Sequence, residues 1–156
     1  MSQSQAEDAL RARIAAAFAG EPAAPGAGML MDAYAGSDDA IEMARAFAGK
    51  HWTELPVADL FYHREMVVAL APAAYRAILP AYLTAALTDD RRLGPDLREY
   101  LLFGLAPLSD EQRDVDETRA RLSLLEPVQR DAVRAVLHHL ADHHGMSQAA
   151  DVLRAW

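Results

Sequence analysis

The residues best suited to chemistry lie in the segment HHLADHHG at positions 138–145. His139 and His143 are four positions apart, so on a helix they share one face, a spacing that can hold a metal ion. The glutamate that follows the first histidine in helical zinc motifs is replaced here by Leu140. Because the sequence offers no third ligand, metal binding or metal-dependent catalysis by this pair is the alternative hypothesis.

The ordinary interpretation of the same segment is structural. Histidines in the last turn of a helix complement the negative end of its dipole. On a helical wheel, His139 and His143 flank the apolar stripe, whereas His138 and Asp142 point away from it. The stripe itself comprises Val133, Val136, Leu137, Leu140 and His144. We therefore predict no metal, no cofactor and no catalytic residue, with the His138 to His144 cluster as the first exception to test.

A second candidate surrounds Pro80, which lies inside a predicted helix. Proline lacks an N–H donor and crowds the carbonyl four residues earlier, so the sequence predicts a kink at Pro80. Tyr75 and Tyr82 flank this point, and each hydroxyl needs a partner if it is buried. A small polar pocket between the two tyrosines is the alternative, and packing in the core is the favoured interpretation.

Composition excludes several functional classes. The chain has 156 residues, a net charge of −8 and no cysteine, so disulfides, thiol catalysis and cysteine-based metal sites are absent. An acidic chain does not attract phosphate backbones or anionic lipids at long range. No nucleophile elbow or phosphate-binding loop is present. We therefore expect neither nucleic acid nor a membrane as partner, and the sequence disfavours an enzyme.

Thirty-three alanines and few aromatic residues predict an all-α protein. We expect one helical domain over residues 1–156, a compact bundle of about six to seven helices. The first helix spans about 5–19, with Glu7 and Arg11 paired on its solvated face. The segment 21–36, rich in glycine and proline, is the one candidate linker, although its apolar residues indicate that it packs on the body.

Local signals predict the boundaries of the middle helices. Ser37 and Gly49 delimit a helix over 38–48, and Pro56 opens a short helix. At most a short extended piece is expected near 66–70, where periodicity does not separate strand from helix. One further helix begins at Pro72 and ends near position 87, and another begins at Pro95 and ends at Gly104.

The last third of the chain carries competing signals. Ser109 to Gln112 reads as a capping box for a highly charged surface helix. The next helix begins either at Ser123 or, as we favour, at Pro127, and it ends before Gly145. A short helix capped by Ser147 completes the chain.

Several motifs together resemble a known family. They are W-x-x-L at 52–55, L-x-P-x-A-Y-x-x-x-L-P-A-Y-L at 70–83, L-x-P-x-Q-R-x-A-V-x-x-V-L at 125–137 and A-x-x-L-x-x-W at 150–156. The chain thereby resembles, over about residues 10–156, a family of small uncharacterised bacterial proteins classed as a domain of unknown function. The resemblance implies a helical bacterial protein and carries no activity or ligand with it.

The favoured functional hypothesis is therefore a non-enzymatic cytoplasmic protein that acts through contacts with another protein. An immunity-like or accessory factor would fit the acidic surface, and the charged helix near 110–122 is its candidate contact. The rival is an enzyme that binds a metal or a small ligand, using either the His139/His143 pair or the Tyr75/Tyr82 pocket.

Overall fold

Every regular element in the computed structural model is helical, and the model describes all 156 residues. The α-helices are α1 (Gln3–Ala17), α2 (Asp38–Phe47), α3 (Val57–Tyr62), α4 (Pro72–Ala85), α5 (Gly94–Leu105), α6 (Gln112–Leu122), α7 (Pro127–His143) and α8 (Ser147–Ala155). Two 3₁₀-helices span Trp52–Glu54 and Arg64–Ala69. The all-α prediction is confirmed. The expected count of six to seven helices is too low, because the structure has eight α-helices and two 3₁₀-helices.

The chain divides into two compact units. One comprises residues 1–20 and 125–156, in which α7 packs against both α1 and α8. The other comprises residues 21–124, where α4 contacts α3, α5, α6 and the 3₁₀-helix Trp52–Glu54. That a single domain covers the whole chain stays a prediction.

Helix starts follow the predicted cap residues in two places. The Ser37 hydroxyl accepts a hydrogen bond from the Ala40 amide, which satisfies a donor at the start of α2. Pro127 occupies the first position of α7, with Glu126 as its N-cap, so the alternative start at Ser123 is wrong. Pro127 prevails because its fixed φ and missing N–H suit the first turn of a helix.

The predicted capping box before α6 is wrong. The helix begins at Gln112, and Glu111 is its N-cap. The Ser109 hydroxyl accepts from the Glu111 amide and donates to the Asp114 carboxylate. Ser109 therefore closes a turn ahead of the helix and does not cap it.

Glycine marks two helix ends as expected and fails at a third. Gly49 and Gly145 have φ values of 76° and 62°, the left-handed conformation that follows many helices. Gly104 lies inside α5, which continues to Leu105. Its role is close packing, because a Cβ atom there would lie 3.0 Å from the Tyr75 hydroxyl oxygen.

The apolar segment 66–70 is mostly helical. Residues 66–69 belong to the 3₁₀-helix Arg64–Ala69, and Leu70 forms an isolated antiparallel bridge with Leu30. The expected extended piece is thus reduced to one residue. Leu30 is buried and belongs to the segment 21–36, so this segment packs on the body as predicted.

Helix α4 forms the interior of the second unit. Ten of its fourteen residues are buried, Pro80 among them, and the helix continues past Pro80 to Ala85. The Thr84 hydroxyl donates to the Pro80 carbonyl at 2.8 Å. The kink at Pro80 stays a prediction. Neither α4 nor any other helix combines the length and apolar character needed to cross a bilayer.

Arginine side chains satisfy carbonyl groups near helix ends. Arg64 donates to the Phe61 carbonyl in α3, and Arg98 donates to the Ala86 carbonyl that follows α4. Arg121 donates to the Gly104 carbonyl in the last turn of α5. Carbonyls in a final turn lack partners within their helix and carry its negative partial charge, so a guanidinium there is stabilising.

The contact between Gly104 and Tyr75 gives a testable prediction. The Tyr75 hydroxyl is buried and has no hydrogen-bonding partner in the chain. We expect Gly104→Ala to lower the free energy of unfolding by about 1 kcal/mol, since steric cost exceeds the gain in helix propensity. In a Tyr75→Phe background, which removes the hydroxyl, the same change should be neutral or stabilising. Denaturant unfolding of the four proteins measures this coupling, and equal effects in both backgrounds would contradict it.

Candidate metal centre

His139 lies one turn before the end of α7 and is 5% exposed. Its Nε2 atom is 3.6 Å from Oε1 of Glu7, a residue of α1 that is itself 7% exposed. Burying a carboxylate is costly unless polar or charged groups surround it. An imidazole and a carboxylate from two different helices therefore meet in the interior of the first unit.

His144 approaches the same point from the end of the helix. It is the C-cap of α7, and its amide donates to the Leu140 carbonyl at 3.3 Å. Gly145 then reverses the chain in the left-handed conformation. The imidazole of His144 meets that of His139 edge to face, with 5.4 Å between ring centroids. The helix end thus places a second imidazole beside the first.

Glu7, His139 and His144 form a group of three potential ligands. One ligand atom from each lies within 4.8 Å of the others. Two imidazole nitrogens and one carboxylate oxygen suit Zn²⁺ and other first-row transition metals. Because Zn–N and Zn–O bonds are about 2.0–2.2 Å, ligation requires the donors to close by roughly 1 Å through side-chain rotation. Gln3 donates to Oε1 of Glu7 at 3.0 Å, a contact that orients the carboxylate.

The predicted His139/His143 pair is adjacent but does not form this group. The two rings are tilted by 36° with centroids 4.7 Å apart, as their helical spacing implies. His143 is exposed, whereas the third member of the group is the half-buried His144. His138 and Asp142 are exposed, which confirms their predicted outward orientation.

Glu7 is the member that the sequence interpretation missed. The sequence predicts Glu7 on the solvated face of α1, and this location is wrong because Glu7 is buried. A signal existed: Glu7 lies seven residues before the buried Ile14, so both fall on one stripe of the helix. Residue type alone favours solvent for a carboxylate, although the position of Glu7 in the helical repeat faces inward.

An open groove of about 330 Å³ runs beside His139 between α1 and α7. Its walls combine apolar side chains with the exposed polar residues of both helices. The polar residues are Arg13, His138, Asp142 and His143. His139 lines this groove and also belongs to the three-residue group, so the groove brings solvent next to one of the three residues.

The tyrosines near Pro80 belong to the core. Tyr75 and Tyr82 are fully buried, and the Tyr82 hydroxyl donates to the Leu60 carbonyl at 2.8 Å. Burial raises the pKa of both hydroxyls above the usual value for tyrosine. Neither side chain is exposed to solvent, so the geometry favours packing over a ligand pocket.

Helix α6 is predicted to present its charged residues to solvent, and one of them does not do so. Arg113 pairs with Glu117 at 3.0 Å and Arg119 with Asp116 at 3.8 Å, both along the helix. Arg121 is 3% exposed, so it does not belong to the solvated face. The two ion pairs offset the negative charges of Glu117 and Asp116, whereas the burial of Arg121 removes a positive charge from the surface.

The fold and the cluster together define an all-helical protein in which the buried Glu7 and His139 lie beside the half-buried His144. The chain belongs to the family of unknown function DUF6714, whose sequence profile matches residues 6–156. The match includes all three residues of the group. No curated protein and no solved structure matches the chain.

Proposed function

We propose that this protein binds one divalent transition-metal ion, Zn²⁺ in the first instance, through Glu7, His139 and His144. The observation that carries the proposal is the convergence of one buried carboxylate and two imidazoles from α1 and α7, with donor atoms within 4.8 Å. This replaces the His139/His143 pair of the sequence hypothesis with a set of three donors.

Electrostatics supports a cation at this position. A carboxylate in the interior loses hydration and is stabilised by a nearby positive charge. A metal ion supplies that charge and uses the lone pairs of neutral imidazoles at the same time. The rival account is a structural contact between Glu7 and His139 without an ion, and metal titration separates the two.

The other functional expectations remain proposals beside this one. Contacts with another protein are compatible with a net charge of −8. Arg113 and Arg119 each pair with an acidic residue of α6, which weakens the proposal that this helix contacts a basic partner. A bacterial source and a cytoplasmic location are likewise expectations from composition and family resemblance. The proposal of metal binding does not require catalysis.

Titration of affinity-tag-free, chelator-treated protein with Zn²⁺ tests the proposal. We expect one equivalent to bind. Competition with a chromophoric chelator, or calorimetry, measures the binding. Replacing a ligand should cost more than the 10- to 100-fold typical of outer-shell residues, so His139→Gln and His144→Gln should each weaken binding by more than about 100-fold.

The matched control is His138→Gln, which changes an exposed histidine of the same helix. We expect it to bind Zn²⁺ like the unaltered protein. Circular dichroism of each variant establishes that α7 is intact. The proposal is wrong if the unaltered protein takes up less than one equivalent, or if His138→Gln loses affinity as strongly as His139→Gln.

A further inference from the structure

We infer that occupancy of the proposed metal site controls whether the N-terminal part of α1 docks on α7. The inference rests on the proposed function and adds regulation to it. The metal would act as a latch between two helices of the same unit, closed when the ion is bound and open when it is removed.

The first step is the distribution of buried residues along α1. Its 15 residues include only two buried ones, Glu7 and Ile14. Ile14 and the C-cap residue Phe18 are both 0% exposed and anchor the C-terminal end. Between positions 3 and 13, the one buried residue is Glu7, whereas Ala6 and Leu10 are only half-buried, so the Glu7 carboxylate is the most deeply buried side chain of this part of the helix.

The second step concerns what the carboxylate does without an ion. Hydration favours a free carboxylate in water, and this preference opposes burial of Glu7. A bound metal ion reverses the preference, because Glu7 then ligates a cation held by His139 and His144. An ion shifts the equilibrium between docked and undocked α1 only if it binds the docked state more tightly. Zn²⁺ would do so here, because Glu7 of α1 is one of its ligands only in the docked state.

The third step is the intrinsic stability of the segment. A capping box between Ser2 and Gln5 begins α1, but an isolated helix of about 15 residues is marginal in water. Once residues 3–13 leave α7, their amide hydrogen bonds open frequently. Release also exposes the His139 side chain and the wall of the groove formed by α7.

Hydrogen–deuterium exchange read by mass spectrometry tests this latch in the full chain. With saturating Zn²⁺, we expect peptides from positions 3–13 to exchange at least about 10-fold more slowly than in chelator-treated protein. At labelling times too short for global unfolding, peptides from α4, in the other unit, should change less than about 2-fold. The His138→Gln variant should show the same zinc effect, and His139→Gln should show none.

The outcomes separate this inference from the proposed function. If one equivalent of Zn²⁺ binds and exchange at 3–13 is unchanged, the latch is wrong and the metal site stands. If Zn²⁺ slows α4 and α1 equally, the effect is global and the latch is again wrong. If no Zn²⁺ binds, the proposed function fails and the latch fails with it.

Discussion

Arg121→Met should lower the free energy of unfolding by about 3 kcal/mol, the largest effect we expect from a single change outside the metal centre. The Arg121 guanidinium is buried and donates to the carbonyls of Gly104 and Val68 at 3.1 and 2.7 Å. It also reaches the Thr118 hydroxyl at 3.3 Å. Hydrogen bonds from a charged donor contribute roughly 1.5–3 kcal/mol each, and losing them leaves buried acceptors without partners.

Burial opposes part of this stabilisation. Desolvation lowers the pKa of Arg121, although a guanidinium remains charged at neutral pH. Methionine avoids that desolvation cost, so the net loss is smaller than the sum of the hydrogen bonds. Arg121→Lys should also destabilise, because one ammonium group does not reproduce the geometry of the planar fork.

Arg119→Met is the control, since Arg119 lies on the same helix with a side chain 75% exposed. Its effect should stay below about 0.5 kcal/mol. Denaturant unfolding measured side by side gives both values. Equal stability of the Arg119 and Arg121 variants would show that the buried guanidinium does not hold the ends of these helices together.

The second large effect is stabilisation by zinc. At free Zn²⁺ 100 times its dissociation constant, a single site on the folded state raises the free energy of unfolding by about 2.7 kcal/mol. Glu7→Gln and His144→Gln should lose this gain, because each removes one of the three donors. His143→Gln should retain it, since His143 is exposed and outside the donor group.

Thermal unfolding with Zn²⁺, with Mg²⁺ and with a chelator provides the measurement. Mg²⁺ should have no effect, because it prefers oxygen ligands and binds imidazole poorly. A zinc effect that persists in His144→Gln and disappears in His143→Gln would assign the site to the exposed histidine pair of the sequence hypothesis.

Signals confined to one helical turn were predictable from the sequence. Ser37, Gly49 and Pro127 each act through their own backbone or the next few residues, so their roles follow from residue type and position. Gly104 shows the limit of this approach. It lies inside α5 with its Cα close to Tyr75, and that contact joins residues 29 positions apart.

The metal centre depends on a contact between distant segments. His139 and His144 are local to the end of α7, whereas Glu7 comes from α1, and no spacing rule connects them. Arg121 was misplaced for the same reason, since its carbonyl acceptors come from α5 and from the 3₁₀-helix Arg64–Ala69. Residue type alone predicts solvent exposure for Glu7 and Arg121, whereas tertiary packing places both inside.

Arginine accounts for 14 of the 15 basic residues. In the structure, Arg64, Arg98 and Arg121 each satisfy carbonyls near helix ends. A planar fork with several donors suits this task better than an ammonium group.

Anomalous diffraction at the zinc absorption edge, from crystals loaded with one equivalent of Zn²⁺, tests the central claim most directly. The account predicts a single strong peak about 2.0–2.2 Å from a Glu7 carboxylate oxygen and from one imidazole nitrogen each of His139 and His144. A peak held by His138 or His143 on the surface, or no ordered zinc at the buried group, would contradict it.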